Sequence, residues 1–406
     1  MLEEVNAWPI PCECGQNHND VLVEKLVINE GALEEILPFL EQKSMSKILI
    51  AVDANTYEVA GQFVVKLLED TNVTTKLCFL DPNELNDVVA DEAAIVQLLL
   101  SVDRDIEVVL AVGSGTIHDI VRIVSYKMGK PFISIPTAPS VDGFNSIGAP
   151  LVVKGVKTTY KAQAPIAVFA DLDIIAKAPK ELIAAGFGDM LGKYTSLVDW
   201  QFSHLIGGDS FCPVVFQITK DALDACVTNV DGIAVANKSA IKILMHGLID
   251  SGKAMLLIGQ SYPASGAEHH LSHYWEMNFL QTKRRQVLHG AKVAVSCQLV
   301  ADFYHTVVKN ILLTIENLPG EDDVIKKVSE NQKEILEWIE SIPDASQLKE
   351  LIQKVGGATV PEDLGIEQDL VKESFRNAHL LRERVTLLYF YNEYIRTNDE
   401  INVIQE

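Results

Sequence analysis

From Lys47 onward the chain alternates short runs of apolar, β-branched residues with amphipathic stretches of helical period. KILIAV precedes GQFVVKLLED, KLCFL precedes NDVVADEAAIVQLLL, EVVLAV precedes TIHDIVRIVSY, and PFISIP and PIAVFADL complete the series. Strands apolar on both faces and separated by helices predict a parallel sheet covered on both sides. Beyond about Pro179 the strand pattern fades. Long helical patterns replace it, from KELIAAGFGDMLGKYTSLVDW through SAIKILMHGLIDSGKAMLLIG to the C-terminus. The pattern thus predicts an α/β chain in two parts: a Rossmann-like, dinucleotide-binding parallel-sheet domain over 1–178 and an all-helical domain over 179–406. A length of 406 residues agrees with that division, because single cores rarely grow past roughly 250–300 residues. The acidic stretch from Asn317 to Lys333 reads as a solvated loop leading into a helix.

Composition narrows the partners. With 34 Lys and Arg against 56 Asp and Glu the formal charge is −22, which argues against nucleic acid or an anionic membrane surface as a general partner. A small anionic ligand remains compatible, since a helix N-terminus and a few local cations hold a phosphate against the global field. No run is long enough to span a membrane, and the start MLEEVNAWPIPCECG is acidic and lacks a signal-peptide core, so a cytoplasmic protein is expected. Six cysteines in a chain this long do not make a disulfide framework, and Cys78 and Cys297 read as core thiols. Cys12, Cys14 and His18, in CECGQNH, offer three donors and no partner pair; a surface turn is the favoured reading, metal binding the alternative.

Three metal-type side chains stand in helix-like sequence: Asp189 in AAGFGDMLGKY, His269 in SGAEHHLSHYW and His289 in VLHGAKVAV. One carboxylate and two imidazoles make an incomplete shell, so a divalent cation held by them keeps open positions for a substrate oxygen. Chance clustering among ten histidines is the alternative. A helix over Ala264 to Met277 would put His269 and His273 on one face and turn His270 roughly 100° away. His289 stands beside Gly290 at the mouth of an apolar run, and Asp189 follows Gly186 and Gly188.

In VVLAVGSGTIHDIVRIV the loop Gly113, Ser114, Gly115 lies between a strand and a helix, where backbone N–H groups approach a pyrophosphate. His118 occupies the place of the third glycine in the GxGxxG fingerprint, so a plain tight turn is the competing reading. Asp53, at the end of an earlier strand, is placed either to bind a ribose hydroxyl, favouring NAD over NADP, or to cap a helix. In IPTAPSVDGFNSIGAP, Thr137, Ser140 and Ser146 are candidate donors to phosphate or nicotinamide and Asp142 a candidate acceptor from a substrate hydroxyl; an ordinary turn-rich connection is the alternative. Lys157, Lys161 and Lys193 are nearby basic residues with no assigned role.

With these motifs in order from about residue 20 to 300, the chain resembles the iron-containing alcohol dehydrogenase and dehydroquinate synthase-like superfamily. Within it, GSGTIHD, PTAPSVDGFNS, GFGDMLGKY, SGAEHHLSH and LHGAKV are similar to the glycerol-1-phosphate dehydrogenase family, particularly its bacterial AraM-like branch. The resemblance implies an active site in the cleft between the two domains. It implies Asp189, His269 and His289 as ligands of one divalent ion, zinc or nickel with iron as a further candidate. Asp53, Gly113, Ser114, Gly115, Thr116, Ile117, Thr137, Ser140 and Ser146 fall on positions contacting NAD or NADP. Asp142, Asp189 and His273 fall on substrate positions, with Asp189 and His273 as the catalytic candidates. Ser114 departs from a glycine common in the family's phosphate loop. The activity implied is reduction of dihydroxyacetone phosphate to sn-glycerol 1-phosphate by a homodimer working on a small phosphorylated substrate. Alternatives are a dehydrogenase of an unphosphorylated polyol, a sugar-phosphate cyclase, or a silent NAD-binding module.

Overall fold

The computed structural model describes residues 12–20, 23–317 and 322–396; the acidic start, apart from its Cys12 to Gly15 end, lies outside them. The five apolar runs appear as β2 (Lys47–Val52), β3 (Thr74–Phe79), β4 (Val108–Gly113), β5 (Phe132–Pro136) and β8 (Ala167–Asp171). A sixth strand, β1 (Lys25–Asn29), joins them in one sheet of order β1-β8-β5-β4-β2-β3, parallel at every pairing. Every residue of β4, β5 and β8 is buried, which is why these strands are apolar throughout rather than alternating. The period-two geometry sorts them by face: Leu49, Ala51, Val109 and Ala111 enter one core and Ile48, Ile50, Val108 and Leu110 the other.

Two features escape the apolar pattern. The edge strand β1 is five residues long and only half-buried. The antiparallel hairpin of β6 (Gly148–Val153) and β7 (Val156–Lys161) has a polar, mostly exposed second strand, VKTTYK.

Helices α1 (Gln62–Leu68), α2 (Glu92–Ser101) and α3 (Gly115–Met128) link the sheet strands. After Asp171 the described residues contain no strand. The pattern read as one long helix divides at Gly192 into α4 (Lys180–Leu191) and α5 (Lys193–Phe202). Next come α6 (Pro213–Thr228), α7 (Lys238–Ile258), α8 (Ala267–Gln281) and α9 (His289–Phe303). Asp322 caps a helix over Asp323–Glu330, so the acidic segment does lead into a helix; residues 318–321 lie outside the description. Among the described residues no helix is long and apolar enough to cross a membrane.

Backbone contacts at two glycines bring α4 against both of its neighbours. A Cβ on Gly186 would lie 1.8 Å from the carbonyl oxygen of Pro139, in the loop after β5, and one on Gly290 1.8 Å from that of Ala185. The obstacle is main chain in both cases, so a methyl group can be admitted only by moving a helix. Replacing Gly290 by Ala is expected to destabilise the fold by about 1–3 kcal/mol through overpacking. A denaturant midpoint equal to that of the unsubstituted protein would refute this close approach.

Candidate active site

Asp189 lies in the last turn of α4, fully buried. Its Oδ2 accepts the Asp142 amide at 3.0 Å and its Oδ1 accepts Lys193 Nζ at 3.2 Å. His269, in the first turn of α8, turns Nε2 to 3.6 Å from Asp189 Oδ1. His289 is the first residue of α9, its ring centroid 5.1 Å from that of His269. One donor atom from each of Asp189, His269 and His289 lies within 4.8 Å of the others. The trio comes from three helices and a hundred residues of sequence.

The electrostatics fit a cation. Burial alone would push the Asp189 carboxyl up, yet the Lys193 ammonium and the two imidazoles hold it well below the ordinary carboxylate range. Burial keeps His289 far below its usual value and therefore neutral, and its Nδ1 is buried with no hydrogen-bond partner. At His269 burial favours the neutral ring, but Asp189 and Glu268 outweigh it and draw positive charge to that point. An ionised carboxylate, imidazole nitrogens and a demand for positive charge between them are what a divalent ion requires.

Glu268 supports this arrangement. Its Oε1 accepts from His269 Nδ1 at 2.7 Å and from the Gly266 amide at 2.7 Å, and its Oε2 accepts from Thr195 Oγ1 at 2.6 Å. The first bond fixes the tautomer of His269 and leaves Nε2 free to face Asp189. Lys193 has a similar duty: fully buried, it donates to Asp142 Oδ2 at 2.8 Å, to Asp189 Oδ1 and to the Ala264 carbonyl at 3.2 Å. It is thereby removed from the list of cations open to a phosphate. Lys161 is exposed at the far end of β7.

His273 stands one turn beyond His269, its ring centroid 5.6 Å from that of His289. Burial lowers it to about 3, so the ring is neutral. Its Nδ1 lies 3.4 Å from Glu276 Oε2, and its Nε2 3.3 Å from Arg382 Nη2. Glu276 is also paired with Lys157 at 2.8 Å and Lys292 at 3.4 Å. Burial pushes the Lys292 ammonium down to about 8, with Glu276 opposing, so it stays charged at neutral pH. Arg382 donates only to neutral groups, the hydroxyls of Ser261 and Ser265 besides His273. His270, by contrast, is buried away from the trio among Arg382 and Arg384, as its place on the helix predicts.

At the carboxyl end of the sheet, Gly113 closes β4 and Ser114 begins α3 with no side-chain cap. A Cβ at Gly113 would meet Ile117 Cδ1 at 2.4 Å and one at Gly115 would meet Val141 Cγ2 at 3.0 Å, so the cradle is bare backbone at the N-terminus of a helix of 14 residues. His118, in the third glycine's place, is wholly buried and bonds the Ser114 carbonyl at 2.9 Å and Ser134 Oγ at 2.8 Å, pinning the loop. Thr137 and Ser140 are buried and Ser146 half-buried in the loop after β5. Buried Arg122 holds that loop through the carbonyls of Gly143, Phe144 and Gly148. Asp53 follows β2 and does cap a helical turn, Oδ1 accepting the Thr56 amide at 2.8 Å.

The iron-containing alcohol dehydrogenase family model matches residues 27–179. Over 397 residues the chain is 48% identical to glycerol-1-phosphate dehydrogenase [NAD(P)+] of Geobacillus stearothermophilus, covering 97% of this chain and 98% of that relative. The chain belongs to the glycerol-1-phosphate dehydrogenase family. The relative of the same name from Bacillus subtilis (strain 168) is 39% identical over 380 residues, 93% of each chain. Among solved structures, a probable glycerol dehydrogenase from Sinorhizobium meliloti 1021 matches with TM-score 0.63 at 17% identity, over 90% of this chain and 91% of that one. Maleylacetate reductase from Rhizobium sp. strain MTP-10005 matches with TM-score 0.65 at 14% identity, over 90% and 92%. Those two likenesses are of fold alone.

Within this member of the glycerol-1-phosphate dehydrogenase family, sequence reasoning passed over Glu268, Lys292, Arg382 and Arg122. Only Glu268 carried a signal, as a carboxylate adjoining a candidate ligand. Replacing Glu268 by Gln is expected to weaken divalent-ion affinity about 10- to 100-fold, the usual effect of losing a histidine ligand's carboxylate partner. Competition with a chelating dye measures it, and an unchanged dissociation constant would remove Glu268 from the site.

Proposed function

We propose that the protein is an NAD(P)-dependent glycerol-1-phosphate dehydrogenase that reversibly reduces dihydroxyacetone phosphate to sn-glycerol 1-phosphate. The observation carrying this reading is the surplus of positive charge beside the candidate ligands. Lys157 and Lys292 share one carboxylate, Glu276, and Arg382 reaches the same neighbourhood through His273, which Glu276 also faces, while nearby Asp119 is already matched by Arg122. Two lysines on one carboxylate, with an arginine that hydrogen bonds only neutral groups beside them, suit a phosphate monoester dianion. An unphosphorylated polyol would leave them without counter-charge.

Asp189, His269 and His289 would hold a divalent ion, zinc or nickel being the leading candidates, which supplies Lewis-acid polarisation to a ketone oxygen. NAD(P)H supplies the hydride. The chain's own residues position the reactants. The loop Gly113 to Ile117 and the start of α3 receive the pyrophosphate, Asp53 the ribose, and Thr137, Ser140 and Ser146 the remainder of the cofactor. Asp142, oriented by Lys193 and by Ser251 Oγ at 2.8 Å, accepts from the substrate hydroxyl. His273 lies between the metal ligands and the cation cluster, where a neutral imidazole hydrogen bonds a substrate spanning both. We place the enzyme in the cytoplasm as a homodimer, feeding glycerolipid synthesis with a backbone precursor.

NADH consumption by chelated protein, with Zn²⁺ or Ni²⁺ then restored, tests the reading. Metal-restored turnover of dihydroxyacetone phosphate, far above that of dihydroxyacetone, is expected; equal rates on both would overturn it. Replacing Arg382 by Ala should raise KM for the phosphorylated ketone about 10-fold or more, the scale of one hydrogen bond to a charged group. It should leave the slow rate on dihydroxyacetone nearly untouched. A uniform loss on both substrates would place Arg382 in the scaffold instead.

A further inference from the structure

The cysteine cluster at the start of the chain is completed from far away. Residues 12–20 lie against the helical half, held where the Asn19 amide donates to the Leu257 carbonyl at 3.0 Å and Asn19 Nδ2 to that of Leu256 at 2.9 Å. These carbonyls belong to the last turn of α7. The path carries Cys12, Cys14 and His18 to Cys212, a fully buried residue at the N-cap of α6. Cys12 Sγ lies 3.3 Å from Cys212 Sγ, Cys14 Sγ 3.3 Å from His18 Nε2, and Cys212 Sγ 3.6 Å from the same nitrogen. All four donor atoms fall within 4.8 Å of one another.

We propose that Cys12, Cys14, His18 and Cys212 form a second metal site that binds one Zn²⁺ in a closed, structural Cys3His tetrahedron. Zn–S bonds of about 2.3 Å and Zn–N bonds of about 2.0–2.1 Å put the corners of such a tetrahedron roughly 3.5–3.8 Å apart, close to the separations present. Four protein donors leave no open position, so the site has no place for a substrate. Asp189, His269 and His289 offer three donors and do leave one. The donor chemistry differs as well: thiolate sulfur selects zinc strongly, whereas the carboxylate-imidazole trio accepts several divalent ions. All six cysteines have free thiols. A Cys12–Cys212 disulfide would account for two of the four donors and leave the approach of Cys14 and His18 without a cause.

Sequence reading favoured a surface turn because three donors do not close a tetrahedron. The fourth lies 194 to 200 residues away along the chain, beyond the reach of any spacing rule. A zinc ion here would staple the segment preceding β1 to the start of α6. It would also fix the packing beside Trp200, whose Nε1 donates to the Ser210 carbonyl at 2.8 Å. Nothing in the redox chemistry of the enzyme depends on it, so this proposal and the assigned reaction stand or fall separately.

Metal content of the full-length protein, purified without chelator and measured by plasma mass spectrometry, is the test. Two equivalents per chain are expected in the unsubstituted protein. Cys14→Ser should lose one equivalent, specifically zinc, and keep turnover within about twofold of wild type. His289→Ala should lose the other. After Co²⁺ reconstitution, thiolate-to-cobalt charge-transfer bands should persist in His289→Ala and vanish in Cys14→Ser. Cys14 is half-exposed, so its variant keeps the test open even if Cys212→Ser, altering a buried residue, does not fold. The proposal is overturned if Cys14→Ser retains the metal content of wild type, if no thiolate bands form, or if alkylation mapping finds a Cys12–Cys212 disulfide in zinc-grown protein.

Discussion

One buried ammonium ties the two halves of the molecule together. Lys193, at the start of α5, reaches Asp142 in the loop after β5 and Asp189 at the end of α4, and donates a third hydrogen bond to the Ala264 carbonyl just before α8. Burial would lower its affinity for a proton, but the two carboxylates more than compensate and hold it charged. Removing one partner of such a buried pair typically costs about 3–5 kcal/mol, because the other charge is left without an answer. The carboxylate that faces the two imidazoles and the loop after β5 are therefore oriented by the same atom.

The sequence was most readable where the physics is local. An apolar run of six residues between helices has few alternatives to a buried parallel strand, and β2, β4 and β5 lie where the pattern put them. Asp189, His269 and His289 stood out because each accompanies glycines or a helix start, and the structure gathers them. Glycine's meaning was half-visible: Gly186 and Gly290 stand beside two of the candidate ligands in the sequence, while the backbone they press against, at Pro139 and Ala185, required the fold. Lys292, Arg382 and Cys212 could not be found by spacing. Each is an ordinary residue in its own helix or loop and gains significance only from groups more than a hundred residues away or on another element. The polar strand β7 was hidden for a different reason, since its side chains meet water on most sides and no hydrophobic period marks it.

A protein with formal charge −22 that buries Lys292 and Arg384 and half-buries Lys157 and Arg382 beside them has separated its fields by depth. Acidic side chains dominate the composition, and salt screens those in water so that their field fades beyond about 8–10 Å. Inside, charges are screened much less, so a few cations set the local field. Arg384 shows how far this goes: it is 4% exposed, stacks over the Tyr262 ring at 4.3 Å, and leaves Nε and Nη2 without hydrogen-bond partners.

The strand order has a consequence for how the chain is made. Among the described residues β1 pairs with β8 and with no other strand, so this early strand of the sheet has no neighbour until residues 167–171 have followed it from the ribosome. At ordinary translation speeds of about 5–20 residues per second, that interval lasts on the order of ten seconds. Over the last part of it, once residues 132–136 have emerged, the β5 edge that β8 will cover is open as well. The sheet is thus completed only by its last strand, and until residues 167–171 emerge a nascent chain of this protein exposes first an unpaired β1 and then an open β5 edge for chaperones to shield.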